Sequence, residues 1–238
     1  MLPINQIACE DNLEYLQKLP DNCVDLIVTD PPYNVSQKTD LKYNGRTITK
    51  NFGEWDFNFN PEPVLKELKR VLKPNGQIYI FCGTNQIPQY MKILKDKWFF
   101  RNLLIWYKRN PAPRISKTNY LFACEYIIYG INEKGRPSDS TFNFNKQNEM
   151  HNVFITNALQ GKERLKEGLK SVHPTQKPLE ILKKLIEVSS KPNDVILDVF
   201  MGVGSTAVAS KILGRRYMGC EIDPKYCYYA RRRLEEVA

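Results

Sequence analysis

The chain has 238 residues, of which 42% are hydrophobic and 26% are charged, and it carries a formal net charge of +9 at neutral pH. This length suits one α/β domain with at most a modest insertion, and the composition argues against disorder. The positive charge suits a polyanionic partner, although a basic enzyme of another kind would show the same excess. No stretch has the apolar length of a membrane span or the order of a signal peptide, which predicts a cytoplasmic protein without membrane attachment.

The six cysteines form no C-x-x-C pair, and four of them lie in or beside apolar runs. We therefore expect reduced, buried thiols and not a disulfide framework. Only two histidines, His151 and His173, are available, so no zinc site is predicted.

Strand-like and helix-like segments alternate along the chain. Short apolar runs occupy residues 24–30, 76–83, 101–108, 123–131, 194–200 and 216–222. Apolar residues recur at helical spacing in residues 61–74, 177–191 and 206–214. Continuous apolar strands indicate a sheet that is covered on both faces, and their alternation with helices predicts a doubly wound, mostly parallel α/β sheet.

Two long polar segments interrupt this alternation, at residues 34–58 and 132–172. Connections of this length in a compact domain usually carry function, so both are predicted to face a substrate. An ordinary surface excursion would give the same pattern.

The stretch "LDVFMGVGSTA" (197–207) places Gly202 and Gly204 between a predicted strand and a predicted helix. Glycines let such a turn tighten and bring the N–H groups of a helix N-terminus close to a ligand. Glu221 ends the next predicted strand, at a spacing that suits hydrogen bonds from ribose hydroxyls. These features predict a nucleoside-containing ligand and leave NAD, FAD and S-adenosylmethionine open.

The stretch "TDPPYN" (29–34) follows the first long apolar run directly. It combines a carboxylate, two residues without a backbone N–H and an aromatic ring. Ligands of open α/β sheets lie beyond the carboxyl ends of the strands, so this motif and the glycine motif are predicted to face one crevice. Alone, Asp-Pro-Pro-Tyr would suit a rigid turn equally well, and its pairing with a nucleoside motif favours a functional site.

Together these motifs identify a family resemblance. "DLIVTDPPYN" (25–34) resembles the catalytic motif of the amino-methylating DNA methyltransferases, "DVFMGVGST" (198–206) resembles their F-x-G-x-G motif, and "HPTQKPLEILKKLI" (173–186) resembles the segment that precedes it. The catalytic motif comes first, which is the circularly permuted order of the β group, and the size is similar to that of the small MboII-type adenine enzymes. The resemblance implies one methyltransferase domain over residues 1–238, with a seven-stranded Rossmann-like sheet.

The resemblance implies catalytic roles for Asp30, Pro31, Pro32 and Tyr33. The Asp30 carboxylate and the Pro31 carbonyl would accept the two hydrogens of an exocyclic amino group, so that the nitrogen lone pair points at the methyl donor. Tyr33 would stack on a base that has left the duplex. Methyl transfer of this kind needs no metal.

For S-adenosylmethionine, the resemblance assigns Asp198, Phe200, Gly202 and Gly204 to the methionine end and Glu221 to the ribose. The other predicted cofactor contacts are Asp11, Asp30, His173, Thr175, Lys177, Ser205 and Thr206. Other interpretations stay open for three residues, since Asp198 also suits a cap on the glycine turn, Asp11 a helix N-cap and Phe200 core packing.

DNA contacts are predicted from charge and position. Residues 108–117 contain four cations and no acid, which suits a phosphate clamp, although a solvated basic loop is the alternative. The family resemblance places a target-recognition region at residues 132–172, and the loop at 34–58, with Trp55 and Asp56, is predicted to close over the base. The predicted DNA-binding residues are Lys108, Arg109, Arg114, Lys117 and Arg136.

The resulting prediction is a site-specific methyltransferase that modifies adenine N6 in double-stranded DNA, as part of a restriction–modification system. A cognate restriction endonuclease and a second copy of the chain are candidate partners. Cytosine-N4 methylation is the nearest alternative, because the exocyclic amine poses the same problem, but in the family Asp at position 30 favours adenine and Ser favours cytosine. Methylation of glutamine or of RNA is disfavoured, because the enzymes of those groups usually have Asn in place of Asp30 and place the glycine motif before the catalytic motif.

Two alternatives come from other classes of protein. An NAD-dependent oxidoreductase would use Gly202, Gly204 and Glu221 but would leave "DPPY" and the positive charge unexplained. A DNA-binding protein without catalysis would have no use for an intact Asp30.

Overall fold

The computed structural model describes residues 1–34, 41–43, 46–48, 58–95, 98–113, 117, 119–132, 136–159, 164–168, 170–173 and 175–237. Within these residues the strands are β1 (Gln6–Cys9), β2 (Val24–Thr29), β3 (Leu41–Tyr43), β4 (Arg46–Ile48), β5 (Leu72–Cys82), β6 (Phe99–Lys108), β7 (Cys124–Ile131), β8 (Val153–Thr156), β9 (Lys166–Glu167), β10 (Lys170–Ser171), β11 (Val195–Asp198) and β12 (Arg216–Glu221). The helices are α1 (Asn12–Gln17), α2 (Pro61–Val71), α3 (Ile87–Leu94), α4 (Leu179–Ser189), α5 (Ser205–Ile212) and α6 (Pro224–Glu235).

One mixed sheet forms the centre of the molecule, with the strand order β1-β12-β11-β2-β5-β7-β6-β8. The first five strands in this order, β1-β12-β11-β2-β5, pair in parallel. Strand β7 runs antiparallel to β5 and β6, and β8 is parallel to β6. All six apolar runs predicted as strands lie in this sheet, and the mostly parallel α/β class is confirmed.

The predicted number of seven strands is wrong, since eight strands of the described chain join the main sheet. The additional edge strand β8 lies within the segment predicted as a polar insertion. Its four residues are too short for a clear two-residue alternation, and pairing with β6 supplies the hydrogen bonds that stabilise it. Part of the 132–172 segment therefore belongs to the sheet.

Helices cover both faces of the sheet, as the continuous apolar strands predicted. On one face, buried residues of α1, α2 and α3 pack against alternate residues of β2 and β5, including Ile27, Ile78 and Ile80. On the other face, the apolar side of α4 packs against Leu26 and Val28. Helices α5 and α6 pack beside β1 and β12 on that same side. The core is thus two apolar layers separated by the sheet.

Parallel pairing brings three strand ends to one edge of the sheet. The strands β2, β11 and β12 are neighbours and end at Thr29, Asp198 and Glu221. The register aligns Asp198 with Gly219, and Cys9 of β1 with Glu221. The residues that follow these strands are therefore brought to the same edge of the sheet.

Of the cysteines, four are buried as expected, Cys124 is half-buried, and Cys9 is exposed, which corrects the prediction for Cys9. All six are free thiols. None of the helices in the described part of the chain is long and apolar enough to cross a membrane.

Candidate functional site

A cavity of about 770 Å³ lies at the carboxyl edge of the sheet. Both sequence motifs line it, which places them in one crevice as predicted. The predicted site residues in its wall are Asp11, Asp30, Pro31, Pro32, Tyr33, Lys108, His173, Thr175, Lys177, Asp198, Phe200, Gly202, Ser205, Thr206 and Glu221.

The two motif glycines adopt left-handed backbone conformations, with φ of 52° at Gly202 and 80° at Gly204. A Cβ added to Gly202 would lie 3.3 Å from Nε2 of His173 at the cavity, whereas one added to Gly204 would lie 2.9 Å from Cβ of Ala230 in α6. Gly204 is the N-cap of α5, and it packs against α6 instead of lining the cavity. It acts on the site by setting where α5 begins.

Asp198 ties the glycine turn to the neighbouring strand. Its Oδ1 accepts hydrogen bonds from the Thr29 hydroxyl at 2.8 Å and the Phe200 N–H at 3.0 Å, and its Oδ2 accepts from the Thr206 hydroxyl at 2.7 Å. Burial raises the pKa of Asp198 to about 6, against the effect of these bonds. The predicted capping role of Asp198 is confirmed, and direct contact with a cofactor stays a prediction.

Glu221 holds the same turn from the other side. Its Oε2 accepts a hydrogen bond from the Gly202 N–H at 2.7 Å, and its Oε1 accepts from the Asp223 N–H at 2.9 Å. Burial raises the pKa of Glu221, while the backbone donors oppose that change. The carboxylate lies in the cavity wall at the end of β12, where the sequence predicted a ribose acceptor.

Asp11 caps α1, where its Oδ1 accepts from the N–H groups of Leu13 at 2.8 Å and Glu14 at 3.2 Å. The predicted N-cap is therefore confirmed, and the same carboxylate also lines the cavity. Phe200 packs edge-on against Phe59 with ring centres 5.3 Å apart, so its ring contributes to packing at the cavity rim.

His173 packs edge-on against Tyr226, with ring centres 4.5 Å apart, and its Nδ1 accepts from the Thr175 N–H at 3.2 Å. Burial, with a smaller effect of Lys177, lowers the pKa of His173 to about 4. The imidazole is therefore neutral at physiological pH and forms a wall behind Gly202.

The catalytic motif begins directly after β2. The Oδ2 of Asp30 contacts Nζ of Lys177 in an ion pair, while its Oδ1 is buried and accepts no hydrogen bond among the described residues. The carbonyl of Pro32 accepts from Nε2 of Gln86 at 2.8 Å, which fixes the proline pair. Burial raises the pKa of Asp30, and Lys177 opposes that shift. One buried carboxylate oxygen is thus left available as an acceptor.

Two residues of this site, Gln86 and Glu125, were missed by sequence reasoning. Nζ of Lys177 lies 3.4 Å from Oε2 of Glu125, which also accepts from the Tyr33 hydroxyl at 3.2 Å. The signal for Glu125 was a single acid inside the apolar run 123–131, since a buried charge needs a partner. Lys177 lines the cavity and pairs with Asp30 and Glu125, and its predicted contact with a cofactor stays a prediction.

The predicted DNA-binding residues that the structure describes differ in their surroundings. Nζ of Lys108 lies 2.6 Å from Oε1 of Glu125 inside the cavity, so its charge is already paired. Arg109 and Lys117 are exposed, and Arg136 pairs with Asp139 at 3.1 Å. Arg114, Trp55 and Asp56 lie outside the described residues, as does most of the 34–58 loop.

With this geometry established, the chain can be assigned to a class. A sequence model for DNA methylases of the N6 and N4 type matches residues 24–232. The chain belongs to this DNA methylase family.

Particular relatives agree with the assignment. The chain is 36% identical to the type II methyltransferase M.HinfI of Haemophilus influenzae, over 98% of this chain and 69% of the relative. It is 32% identical to the type II methyltransferase M2.DpnII of Streptococcus pneumoniae, over 94% and 87%. The crystal structure of an M1.HpyAVI–SAM complex has a TM-score of 0.68 at 28% identity, covering 96% of this chain and 99% of that one.

Proposed function

We propose that this protein transfers the methyl group of S-adenosylmethionine to N6 of adenine at a specific site in double-stranded DNA. Membership of the DNA methylase family supports the reaction class. The observation that carries the proposal is the carboxylate of Asp30, which keeps one buried oxygen without a partner among the described residues.

The chemistry requires acceptors because the lone pair of an exocyclic amine is delocalised into the base. Asp30 and the carbonyl of Pro31 accept the two amino hydrogens, which favours a pyramidal nitrogen with its lone pair aimed at the methyl carbon. When bound, S-adenosylmethionine would supply that carbon as a sulfonium methyl group, and its sulfur would keep the C–S electron pair as a thioether leaving group while the amine forms the new N–C bond. The cationic nitrogen would then pass one proton to the Asp30 carboxylate, which releases it to solvent, and the product is a neutral methylamino group.

The cavity fits the cofactor in size and in chemistry. A volume of about 770 Å³ suits a nucleoside with an amino-acid tail. The carboxylates of Glu221 and Asp11 suit ribose hydroxyls and an adenine amino group. The N-terminus of α5 at Ser205 offers N–H groups to the methionine carboxylate.

Adenine must leave the duplex to reach this cavity. Tyr33 lies in the wall with its hydroxyl bound to Glu125, and its ring is the candidate surface for stacking on the base. Tyr120, Leu121 and Phe122 are 91%, 49% and 66% exposed, and Phe122 lines the cavity. Exposed aromatic side chains at the rim suit contact with bases beside the extruded nucleotide.

The choice of adenine over cytosine rests on Asp30, since the family resemblance associates Asp with adenine and Ser with cytosine. The decisive experiment incubates the protein with tritiated S-adenosylmethionine and genomic DNA from a methylation-deficient host, then digests the DNA to nucleosides. We expect label in N6-methyladenine. Label in N4-methylcytosine would replace the base assignment, and unlabelled DNA would refute the function. Single-molecule sequencing of the product gives the recognition site.

A restriction–modification role, with a cognate endonuclease, forms part of the proposal because two relatives are named as type II methyltransferases. A DNA substrate of this kind also favours a cytoplasmic location. A homodimer is supported by the outer side of β6 and β8, where Tyr107, Val153 and Ile155 are 42%, 39% and 51% exposed on one face. Sedimentation with and without Ile155→Lys tests this dimer.

A further inference from the structure

Four charged side chains and one hydroxyl form a continuous group that includes Asp30 and Tyr33 of the predicted catalytic motif. Nζ of Lys177 contacts Asp30 Oδ2 and lies 3.4 Å from Glu125 Oε2, and Nζ of Lys108 lies 2.6 Å from Glu125 Oε1. The Tyr33 hydroxyl donates to Glu125 Oε2 at 3.2 Å. We call these five residues the charge network.

The charge network is enclosed and neutral. Its charged side chains are exposed by only 7% at Lys177, 15% at Lys108, 19% at Glu125 and 21% at Asp30. Two cations and two anions balance, and the Lys177 ammonium also lies 5.2 Å from the centre of the Tyr33 ring. A buried group of this kind is costly unless every charge is paired, and the presence of Asp30 within it points to a role in the reaction.

We propose that Lys177 and Glu125 are positioning residues for methyl transfer, Lys177 by holding one oxygen of Asp30 so that the other stays available to the substrate amine, and Glu125 by fixing Lys177 and Tyr33. The inference rests on the proposed function and deepens it. It also reassigns Lys177 from the cofactor to the catalytic carboxylate.

The direction of the charge effects follows from the geometry. Burial alone raises the pKa of Asp30, the Lys177 ammonium lowers it, and the Glu125 carboxylate raises it. For Glu125 itself, burial raises the pKa, but Lys177 and Lys108 outweigh burial and hold it below its usual value. Lys177 keeps a raised pKa because Asp30 and Glu125 outweigh its burial. Lys177 thus favours the ionised form of Asp30, and Glu125 disfavours it.

Other titratable groups face Asp30 from the neighbouring elements. They are Lys177, Glu125, Tyr33, Cys82, Tyr90 and Asp198. Burial raises the pKa of Cys82 to about 12 and also raises those of Tyr33 and Tyr90, so these three stay uncharged at neutral pH. Asp198, with a pKa of about 6, is a second carboxyl that can shape the acid side of a pH–rate profile, as is Glu221, whose pKa burial also raises.

The test compares pH–rate profiles of the full-length protein under single-turnover conditions with genomic DNA from a methylation-deficient host. Lys177→Met removes the cation, so we expect the acid limb to move up by about one pH unit, with activity partly restored at high pH. Glu125→Gln removes an anion, so we expect the limb to move down by about as much. In both variants we expect the Kd for S-adenosylmethionine to stay within about twofold, because the change affects only the reacting carboxylate.

Controls separate this electrostatic role from a structural one. Glu125→Gln leaves Lys108 unpaired, whereas the double variant Lys108→Met with Glu125→Gln removes one charge of each sign. We expect the double variant to recover thermal stability and to keep the downward shift. The pH–rate profile of Asp198→Asn shows which part of the acid limb, if any, comes from the titration of Asp198.

Three results would overturn the inference. The acid limb of the pH–rate profile could shift in the same direction in both single variants, or it could stay in place in both. In the third result, Lys177→Met loses much of its affinity for S-adenosylmethionine while its acid limb stays in place. If the wild-type protein itself labels no duplex, the proposed function fails instead.

Discussion

Replacement of Gly204 by alanine is expected to destabilise the protein strongly, through two separable effects. The residue has a φ of 80°, and this left-handed conformation costs a side chain about 1–2 kcal/mol. The new Cβ would lie 2.9 Å from Ala230 Cβ and 3.1 Å from its Cα, so helix α6 must shift, and overpacking of this kind costs about 1–3 kcal/mol. Together the free energy of unfolding should fall by roughly 2–5 kcal/mol, against a usual total of about 5–15 kcal/mol.

Gly214 provides a matched control. Its φ is 69°, but a Cβ added there meets no atom within 4 Å. Gly214→Ala should therefore lose only the conformational term, about 1–2 kcal/mol. Urea unfolding followed by circular dichroism measures both variants, and the difference between them isolates the contact with α6. If Gly204→Ala lost no more stability than Gly214→Ala, the close approach of α5 to α6 would not constrain this position.

Three further predictions concern the carboxylates of the cavity. Asp30→Ala should reduce single-turnover methylation by at least about 10²-fold, because a preorganised acceptor is lost, while DNA binding measured by gel shift is kept; full activity would contradict the chemistry. Glu221→Ala should raise the Kd for S-adenosylmethionine by about 10–100-fold in calorimetry, because it loses an acceptor for the ribose and an anchor of Gly202, and an unchanged Kd would remove Glu221 from the cofactor site. For Asp198, the folded-state pKa of about 6 lies above the unfolded value, so the native state binds the proton more tightly and stability falls as pH rises between the two. Between pH 4 and pH 7, the free energy of unfolding of the wild type should fall by up to about 3 kcal/mol more than that of Asp198→Asn, measured by urea unfolding. If the two free energies changed with pH in parallel, the raised pKa of Asp198 would be refuted.

The sheet and the meeting of the two motifs were predictable because both depend on local pattern. Apolar runs marked the central strands, and parallel strand ends necessarily meet at one edge. Strand β8 was not predictable, because its stability comes from pairing with β6 and not from its own four residues.

The partners of the charged residues were less accessible to sequence reasoning. The family resemblance assigned Lys177 to the cofactor pocket, and its side chain reaches the carboxylate of Asp30, 147 positions away in sequence. Similarly, the sequence shows Lys108 as one of four cations in a segment without acids, whereas in the fold its ammonium pairs with Glu125 on the adjacent strand. Charge pairing across strands depends on register, and register is a property of the folded sheet.

The bond between Thr29 and Asp198 joins the ends of β2 and β11, so the catalytic stretch and the glycine turn are fastened to each other through neighbouring strands. The position of Asp30, which follows β2, relative to the glycine turn, which follows β11, is then set in the interior of the fold. The predicted target-recognition segment, 132–172, contributes no residue to this bond, so substitutions there are expected to leave the alignment of the two motifs unchanged.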